Sequence, residues 1–380
     1  MKNKINIVVI WSAIFLFTAC ATYYQKTISF QEDFASGDLQ GAKSFLEKNE
    51  KAAEKKDRLL YFFDRGVVEH MLGNYEQSNH YFEEAYKFSQ DFRKSLMNDL
   101  TSYMANPMTK PYQGEDFEVV IFHFYKALNY IYLNEFDAAL VECRRINIRL
   151  NEINDRYKDK KNRYKSDAFA HLLMGLIYEA KGSYNDAFIA YRNAFNVYEE
   201  LYSEHFQMEA PLQLKKDLLR MAAFNGFDTE LDFYERKFDL SYDKSWENEN
   251  ETLVFFWLNG LGPVKSEVSL NFAGVKGQGG VFTFSDEQNG VSVPVVASDY
   301  NSKADFNDVK AIRMAIPKFK SRYPLYTAAA IRNQDQTYPL QKVEDINQIA
   351  ISTLQDRTLR ELASSVGRLA VKQATELAVR

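Results

Sequence analysis

Residues 167–194 read DAFAHLLMGLIYEAKGSYNDAFIAYRNA, and this stretch decides the fold of the region around it. Small and aromatic residues recur in it at helical spacing, at Gly175, Tyr178, Gly182, Tyr184, Ala187, Tyr191 and Ala194. Small residues let two antiparallel helices approach closely, and aromatic side chains fill the space toward the next pair. The stretch therefore predicts a helical hairpin that stacks on others of its kind.

The same register recurs along much of the chain before residue 240. One copy comprises Phe62, Gly66, Gly73, Tyr75, Ser78, Phe82 and Ala85, and a weaker one comprises Ala127, Tyr130, Asn134, Phe136, Ala139 and Cys143. Degenerate copies are predicted around Gly37, Asp38, Leu39 and Ala42, and around Gly226, Phe227 and Tyr234. These positions resemble those of a tetratricopeptide repeat, and the resemblance implies an α-solenoid of stacked helix pairs.

The copies are unequally spaced, which predicts inserts in the solenoid. Equivalent positions lie 36, 61, 48 and 43 residues apart instead of a constant length of about 34. One insert contains Pro107, Pro111 and a helical pattern over Asp91–Met104. The other is the basic loop Arg156–Lys165, which we expect to be solvated, with contact to anionic headgroups or wall polymer as the alternative.

The N-terminus resembles a bacterial lipoprotein signal. Lys2 and Lys4 precede the apolar run Ile5–Phe17, and Thr18-Ala19 supply small residues before Cys20. Thirteen apolar-biased positions reach only about 20 Å as a helix, short of a bilayer core of about 30 Å. The resemblance implies that residues 1–19 are a signal peptide and that Cys20 is lipidated. An ordinary secretory signal cut elsewhere is the alternative.

The residues that follow Cys20 and the net charge of the chain refine this expectation. Residue 21 is Ala, not Asp, and no acidic cluster follows, which by resemblance to the usual patterns predicts the periplasmic side of the outer membrane. The net charge of −5, which becomes about −7 without residues 1–19, disfavours a nucleic-acid partner. With Cys20 lipidated, Cys143 is the only other cysteine. We expect it to be a small core residue without a disulfide.

Near residue 241 the period changes from helical to alternating. Short strands are predicted at Ser266–Phe272, Val281–Phe284, Val291–Val296, Ile312–Ile316 and Thr327–Ile331, forming a small antiparallel sheet or a sandwich. Asp345 is the predicted N-cap of a long C-terminal helix. The fold class is α+β, with a signal peptide over residues 1–19, a repeat domain over 20–240, a β-rich domain over 241–344 and the helix over 345–380.

Several stretches together resemble an uncharacterised family of bacterial lipoproteins that contain tetratricopeptide repeats. These are residues 112–118, Val141–Arg145, Phe169–Tyr191 and the strand Ile312–Pro317. Relatives continue past the last helix into an Asp-x-Arg-x-Trp-like segment, so we expect a truncated C-terminus or a branch without that part. Their genes tend to lie beside those of lipoproteins that activate peptidoglycan synthases, which implies a role in envelope or wall assembly.

Enzyme chemistry is not indicated. The five histidines form neither an HExxH motif nor a His/Cys pair at metal spacing, so no metal or cofactor is expected. His123 and His171 share one repeat position, where a core or groove-edge histidine is expected and a shared ligand site is the alternative. Gly274–Gly280 lacks the Lys-Ser/Thr pair and the following helix of a phosphate-binding loop, which favours a hairpin turn.

The predicted partner-binding residues lie on the middle repeats, at Tyr130, Arg144, Arg145, His171 and Tyr178. Glu142 and the two arginines flank Cys143, and either an ion pair that locks adjacent repeats or a contact to a partner's carboxylate or carbonyl suits them. The first hypothesis is a lipid-anchored outer-membrane scaffold that binds a periplasmic or envelope protein in its groove. The alternatives are a glycan-binding envelope lipoprotein and an assembly factor for outer-membrane proteins.

Overall fold

The computed structural model describes residues 23–98, 111–155, 162–247, 253–276, 281–296, 309, 311–333 and 336–378. The chain divides into two compact units, Met1–Gly114 and Glu115–Arg380. The domain boundaries predicted after residues 19, 240 and 344 stay predictions. Within the described ranges, no helix combines the length and the apolar character needed to cross a bilayer.

In its described residues, the first unit contains two helical hairpins. Its helices are α1 (Tyr23–Lys26), α2 (Ile28–Ser36), α3 (Leu39–Lys48), a 3-10 turn (Glu50–Glu54), α4 (Arg58–Met71) and α5 (Tyr75–Asn98). The helical pattern predicted over Asp91–Met104 is helical as far as Asn98, where it continues α5 without a break. The rest of that predicted helix, together with Pro107, lies outside the described residues.

The part of the second unit that the structure describes contains three more hairpins. Its helices are α6 (Glu118–Tyr132), α7 (Phe136–Asp155), α8 (Ala168–Ala180), α9 (Tyr184–Val197), a π-helix (Tyr198–Tyr202), α10 (Ser203–Phe206), α11 (Leu212–Phe224), α12 (Asp228–Phe238) and a 3-10 turn (Lys244–Trp246). The helical repeat region predicted from the sequence is confirmed, including the two degenerate copies.

One backbone position unites the five hairpins. The residue two places before each second helix has a positive φ: Gly37 (86°), Gly73 (78°), Asn134 (61°), Gly182 (74°) and Gly226 (68°). Glycine adopts this left-handed conformation freely, and asparagine tolerates it better than most residues. The repeat is therefore visible in the backbone even where its aromatic residues have changed.

Two other glycines are required by packing. A Cβ atom on Gly66 would lie 2.6 Å from Cε1 of Phe82, and one on Gly175 would lie still closer to the ring of Tyr191. In both hairpins the aromatic ring of the second helix rests on the glycine backbone of the first. This explains why small and aromatic residues are paired in the sequence pattern.

Four strands form one antiparallel sheet in the order β3-β2-β1-β4. They are β1 (Val264–Lys276), β2 (Val281–Asp286), β3 (Val291–Val296) and β4 (Ala311–Lys320). Their apolar face includes Leu270, Phe272, Phe284 and Ile312 in one buried cluster. The opposite face carries exposed residues such as Ser269, Asn271, Ser292 and Arg313, as expected for an antiparallel sheet with one solvated side.

The C-terminal helix α13 (Ile346–Ala378) covers the apolar face of this sheet. Leu362, Val366, Ala370 and Ala374 repeat every fourth residue and belong to the buried cluster. Small residues at two of these positions let the helix lie close to the strands. The alternative prediction of a β-sandwich is wrong for the described strands, because a helix and not a second sheet covers the apolar face.

A separate two-stranded ribbon consists of β5 (Ala330–Asn333) and β6 (Gln336–Pro339). The strand predicted at Thr327–Ile331 therefore begins three residues later than expected. The predicted hairpin turn at Gly274–Gly280 belongs to β1 as far as Lys276, and its remainder lies outside the described residues.

Ion pairs connect the sheet and α13 to the helical hairpins of the second unit. The buried carboxylate of Glu115 contacts Lys265 of β1 and lies 2.8 Å from Nη1 of Arg357 on α13. The backbone N–H of Arg163 donates to Asp356 at 2.9 Å. The part of the predicted basic loop that the structure describes thus contacts α13.

A buried acidic cluster connects the segment before α13 to α8 and the π-helix. Asp167 caps α8 by accepting from the N–H of Ala170 at 2.6 Å, and the hydroxyl of Tyr164 donates to it at 2.5 Å. The hydroxyl of Tyr202 donates to Glu344 at 3.3 Å. Burial raises the pKa of Asp167 to about 6. Burial first, and then the nearby charge of Asp167, raises the pKa of Glu344 well above its usual value.

Glu344→Gln should make the protein's stability less dependent on pH. Both pKa values are higher in the folded state, so the folded protein holds more protons, and the pair stabilises the fold less as pH rises from about 4 toward neutrality. The unfolding free energy of the variant minus that of the parent chain should therefore increase as the pH rises. Urea unfolding at several pH values measures this difference. The exposed Glu287→Gln serves as control, and parallel curves for parent and Glu344→Gln would contradict the prediction.

Candidate functional site

The candidate site lies where α6, α7 and α8 pack together. A buried cluster of small and aliphatic side chains forms its floor and includes Ala127, Leu128, Cys143, Leu173 and Ile177. Cys143 is fully buried and unpaired, as the sequence predicted for a core residue. Around this floor lie half-buried side chains from three elements: Tyr130, Met174, Tyr178 and Phe256. We call these four residues the α6–α8 surface.

Phe256 belongs to an extended segment, residues 253–259, that has no regular secondary structure. Its ring lies 6.0 Å from that of Phe169 in an edge-to-face arrangement. Phe169 in turn stacks on Phe124 at 5.3 Å. An extended piece of chain is therefore seated on the helical repeats by one aromatic side chain.

Arg144 stands beside this surface. Its side chain is exposed on α7, and its Nη2 donates to the hydroxyl of Tyr178 on α8 at 2.9 Å. This hydrogen bond links two adjacent hairpins and holds the guanidinium in place. Val141 and Ile148, three and four residues away on α7, are also exposed. The outer face of α7 therefore presents an oriented cation between two apolar side chains.

Arg145 has a different role from Arg144. Its Nη1 donates to Oε1 of Glu142 at 2.8 Å. Lys126 of α6 lies 3.0 Å from the same oxygen, and Nδ1 of His123 lies 2.6 Å from Oε2. Glu142 thus locks α6 to α7 within one hairpin. Among the described contacts, the cations that face Glu142 come from its own hairpin, and the link to the adjacent hairpin is the hydrogen bond of Arg144 to Tyr178.

The titration of this cluster follows from burial and charge. Burial raises the pKa of Glu142, but the hydrogen bond to His123 and the charge of Lys126 outweigh it, so that the pKa is lowered. Burial lowers the pKa of His123 despite its acidic neighbour. Glu142 is therefore ionised and His123 neutral near pH 7. The stabilisation from Glu142 is present above its ordinary pKa of 4.5 and is lost as pH falls below that value.

His171 does not share the environment of His123. It is half-buried on α8, where its Nε2 lies 3.5 Å from Nδ2 of Asn147. Its Nδ1 is buried and has no hydrogen-bond partner among the described residues. Burial lowers the pKa of this ring as well. The described residues contain no group of three or more His, Cys, Asp or Glu side chains that could hold a metal ion.

The structure thus brings three of the predicted residues together and leaves two apart. Tyr130 and Tyr178 pack against the same buried cluster and Arg144 donates to Tyr178, while Arg145 and His171 have other neighbours. Cys20 lies outside the described residues. Phe256 was missed, although the apolar run Leu253–Leu258 between two polar stretches was a visible signal.

No family model matches the chain, and no curated protein matches it either. Among solved structures, the chain is similar to the apo form of RapI, with 18% identity, a TM-score of 0.40, and coverage of 57% of this chain and 68% of that one. It is also similar to MamA, with 15% identity, a TM-score of 0.35, and coverage of 55% and 91%. A third similar structure is BtubC from P. vanneervenii, with 14% identity, a TM-score of 0.39, and coverage of 61% and 86%. RapI and MamA are helical repeat proteins of the tetratricopeptide type.

Proposed function

We propose that this chain is a non-enzymatic scaffold protein of the bacterial envelope. Cys20 is lipidated and anchors it to the periplasmic side of the outer membrane. Its tetratricopeptide-like solenoid binds an extended segment of a partner protein at the α6–α8 surface. The process that it serves is envelope or cell-wall assembly, as the family resemblance implies.

The seating of Phe256 is the observation that carries the binding role. Residues 253–259 form neither a helix nor a strand, and the half-buried ring of Phe256 packs against the buried cluster of the repeats. A surface that accepts an extended segment of its own chain in this way has the shape and chemistry to accept one from another protein. A partner segment would bind over the outer face of α7, beside Arg144.

Arg144 supplies the polar part of the recognition. An arginine carries five N–H donors in a planar fork that suits a carboxylate or backbone carbonyls. The hydrogen bond to Tyr178 pre-orients that fork, so less side-chain entropy is lost when a partner binds. Exposed Val141 and Ile148 on either side provide apolar contact area. A partner segment with an apolar residue beside an acidic one fits this arrangement.

A photoreactive residue at position 148 should crosslink to an envelope protein in intact cells. Arg144→Glu in the same chain should lower the yield of that adduct roughly tenfold or more, because charge-assisted hydrogen bonds are lost and a repulsive charge is added. Arg236→Glu is the matched control, since Arg236 is an exposed arginine on α12. A photoreactive residue at the exposed Phe233 on α12 should give no adduct. An adduct at 148 that is unaffected by Arg144→Glu would contradict the proposed site.

The anchor has its own test. Cys20→Ala should release the chain from the membrane fraction, because two or three acyl chains are what make such an anchor stable. Cys143→Ala removes the other cysteine of the chain and should leave membrane retention unchanged. Equal retention of the two variants after washing would contradict the lipid anchor.

A further inference from the structure

The second unit exposes an unusual group of large apolar side chains away from the α6–α8 surface. Tyr323 is 91% exposed, Leu325 85% and Tyr326 66%, in the loop between β4 and β5. On the neighbouring segment, Phe255 is 55% exposed and lines the same cavity as Tyr326. Exposed single apolar residues are ordinary, but a group of them at one place marks an interaction surface. We call these four residues, Tyr323, Leu325, Tyr326 and Phe255, the aromatic patch.

The two segments of the patch are tied together. Nδ2 of Asn259 donates to the carbonyl of Tyr326 at 2.8 Å. Nε of Arg322 donates to the carbonyl of Gly262 at 2.7 Å. Between the segments and the ribbon lies an apolar cavity of about 340 Å³ lined by Phe255, Trp257, Tyr326, Ala329, Ile331 and Leu340. The two segments are therefore held together by side-chain donors that bind main-chain carbonyls, and Trp257 lines the cavity between them.

The stretch of chain that carries Tyr323, Leu325 and Tyr326 is basic. Residues 311–333 contain five basic side chains and no Asp or Glu, whereas the whole chain has a net charge of −5. The basic residues are Arg313, Lys318, Lys320, Arg322 and Arg332. Lys318 and Lys320 are exposed at the end of β4, next to the loop that carries Tyr323. An acidic protein thus presents aromatic and cationic side chains together at one place.

We infer that the aromatic patch binds the surface of a bilayer that contains anionic phospholipid. Tyrosine and tryptophan favour the membrane–water interface, where the ring is in apolar surroundings and the polar atom is hydrated. Each basic residue next to such a surface adds electrostatic attraction to the headgroups. A protein partner fits less well, since lysine is depleted from protein–protein interfaces while basic residues beside aromatic and aliphatic ones are typical of peripheral membrane binding.

This inference goes beyond the acyl anchor, although it rests on the proposed envelope location. Acyl chains on Cys20 hold one end of the chain at a bilayer and leave the orientation of the second unit free. A second contact through the patch would orient that unit. The test must therefore report where the patch lies and not only whether the chain is bound.

The fluorescence of Trp257 reports where the patch lies. The processed, lipidated chain with Trp246→Phe has Trp257 as its only tryptophan, because Trp11 belongs to the signal peptide that is removed. It is mixed with vesicles of brominated phosphatidylcholine, with or without brominated phosphatidylglycerol. We expect quenching of Trp257 fluorescence in vesicles that contain phosphatidylglycerol, and its loss at high salt. Lys318→Gln with Lys320→Gln should lower the docked-to-undocked ratio roughly 25-fold, at about fivefold for each basic residue.

Matched variants separate this inference from the anchor. Lys48→Gln with Lys51→Gln removes two exposed lysines of the first unit and should leave the quenching unchanged. Leu325→Glu should abolish it, and the exposure of Leu325 makes this substitution safe for folding. If Trp257 stays unquenched while the chain sediments with the vesicles, the patch inference is overturned and the anchor stands. If Trp257 stays unquenched and the chain does not sediment, both are overturned. A photoreactive residue at 325 that crosslinks to a protein and not to lipid also overturns the inference.

Discussion

Glu142→Gln should lower the free energy of unfolding of the second unit by about 3–5 kcal/mol at neutral pH. Lys126 is 2% exposed, and the substitution removes the carboxylate that lies 3.0 Å from its ammonium group. A buried cation that loses its counter-charge costs far more than the ion pair itself contributes. Urea unfolding of the full chain, followed by circular dichroism, measures the change.

The double variant Glu142→Gln with Lys126→Met is the informative control. Removing both charges should recover much of the lost stability, because no unpaired ion is then left in the interior. Arg149→Gln also neutralises a charged side chain of α7. The partner of Arg149, Glu152, lies 3.1 Å away and is itself exposed. This substitution should cost far less. If Glu142→Gln proved no more harmful than Arg149→Gln, the buried cluster would not hold α6 to α7 as described.

Tyr191→Ala should cost about 3–5 kcal/mol of unfolding free energy. The side chain is fully buried, its ring rests on Gly175, and its hydroxyl donates to Glu179 at 2.9 Å. Tyr191→Phe keeps the ring and loses only the hydrogen bond, so it should cost about 1 kcal/mol. The difference between the two variants isolates the ring, and thermal or urea unfolding measures both.

Gly175 tests the same contact from the other helix. Gly175→Ala should destabilise the parent chain by about 1–3 kcal/mol, because the added methyl group collides with the Tyr191 ring. In the Tyr191→Ala background the collision disappears, and alanine's better helix propensity should make the substitution neutral or favourable. Equal effects of Gly175→Ala in the two backgrounds would show that the contact does not limit how closely the two helices approach.

Much of the repeat fold was predictable because its determinants are local. A glycine or asparagine two places before a helix, and a small residue facing an aromatic one across a hairpin, both lie within about 20 residues of chain. The strands were likewise visible as alternating patterns, and Asp345 accepts from the N–H of Gln348 at 3.0 Å as an N-cap should. Lipidation of Cys20 stays a prediction, because Cys20 lies outside the described residues.

The candidate site was predictable only in part. Tyr130, Tyr178 and Arg144 lie together because they belong to adjacent hairpins, whose stacking the repeat pattern implies. Arg145 does not join them, because its guanidinium pairs with the buried carboxylate of Glu142 one helical turn away. Nothing in the local pattern indicated which of the two neighbouring arginines would face inward.

The sequence by itself determined the helical hairpins, the strands and the long terminal helix, since each depends on spacing within a short stretch. Only the tertiary structure decided that Phe256 sits on the repeats, that α13 covers the sheet, and that Tyr202 meets a carboxyl group 142 residues further along the chain. Such contacts join segments that are remote in sequence. They depend on how whole elements pack, and no periodicity within one element encodes the partner that it will meet.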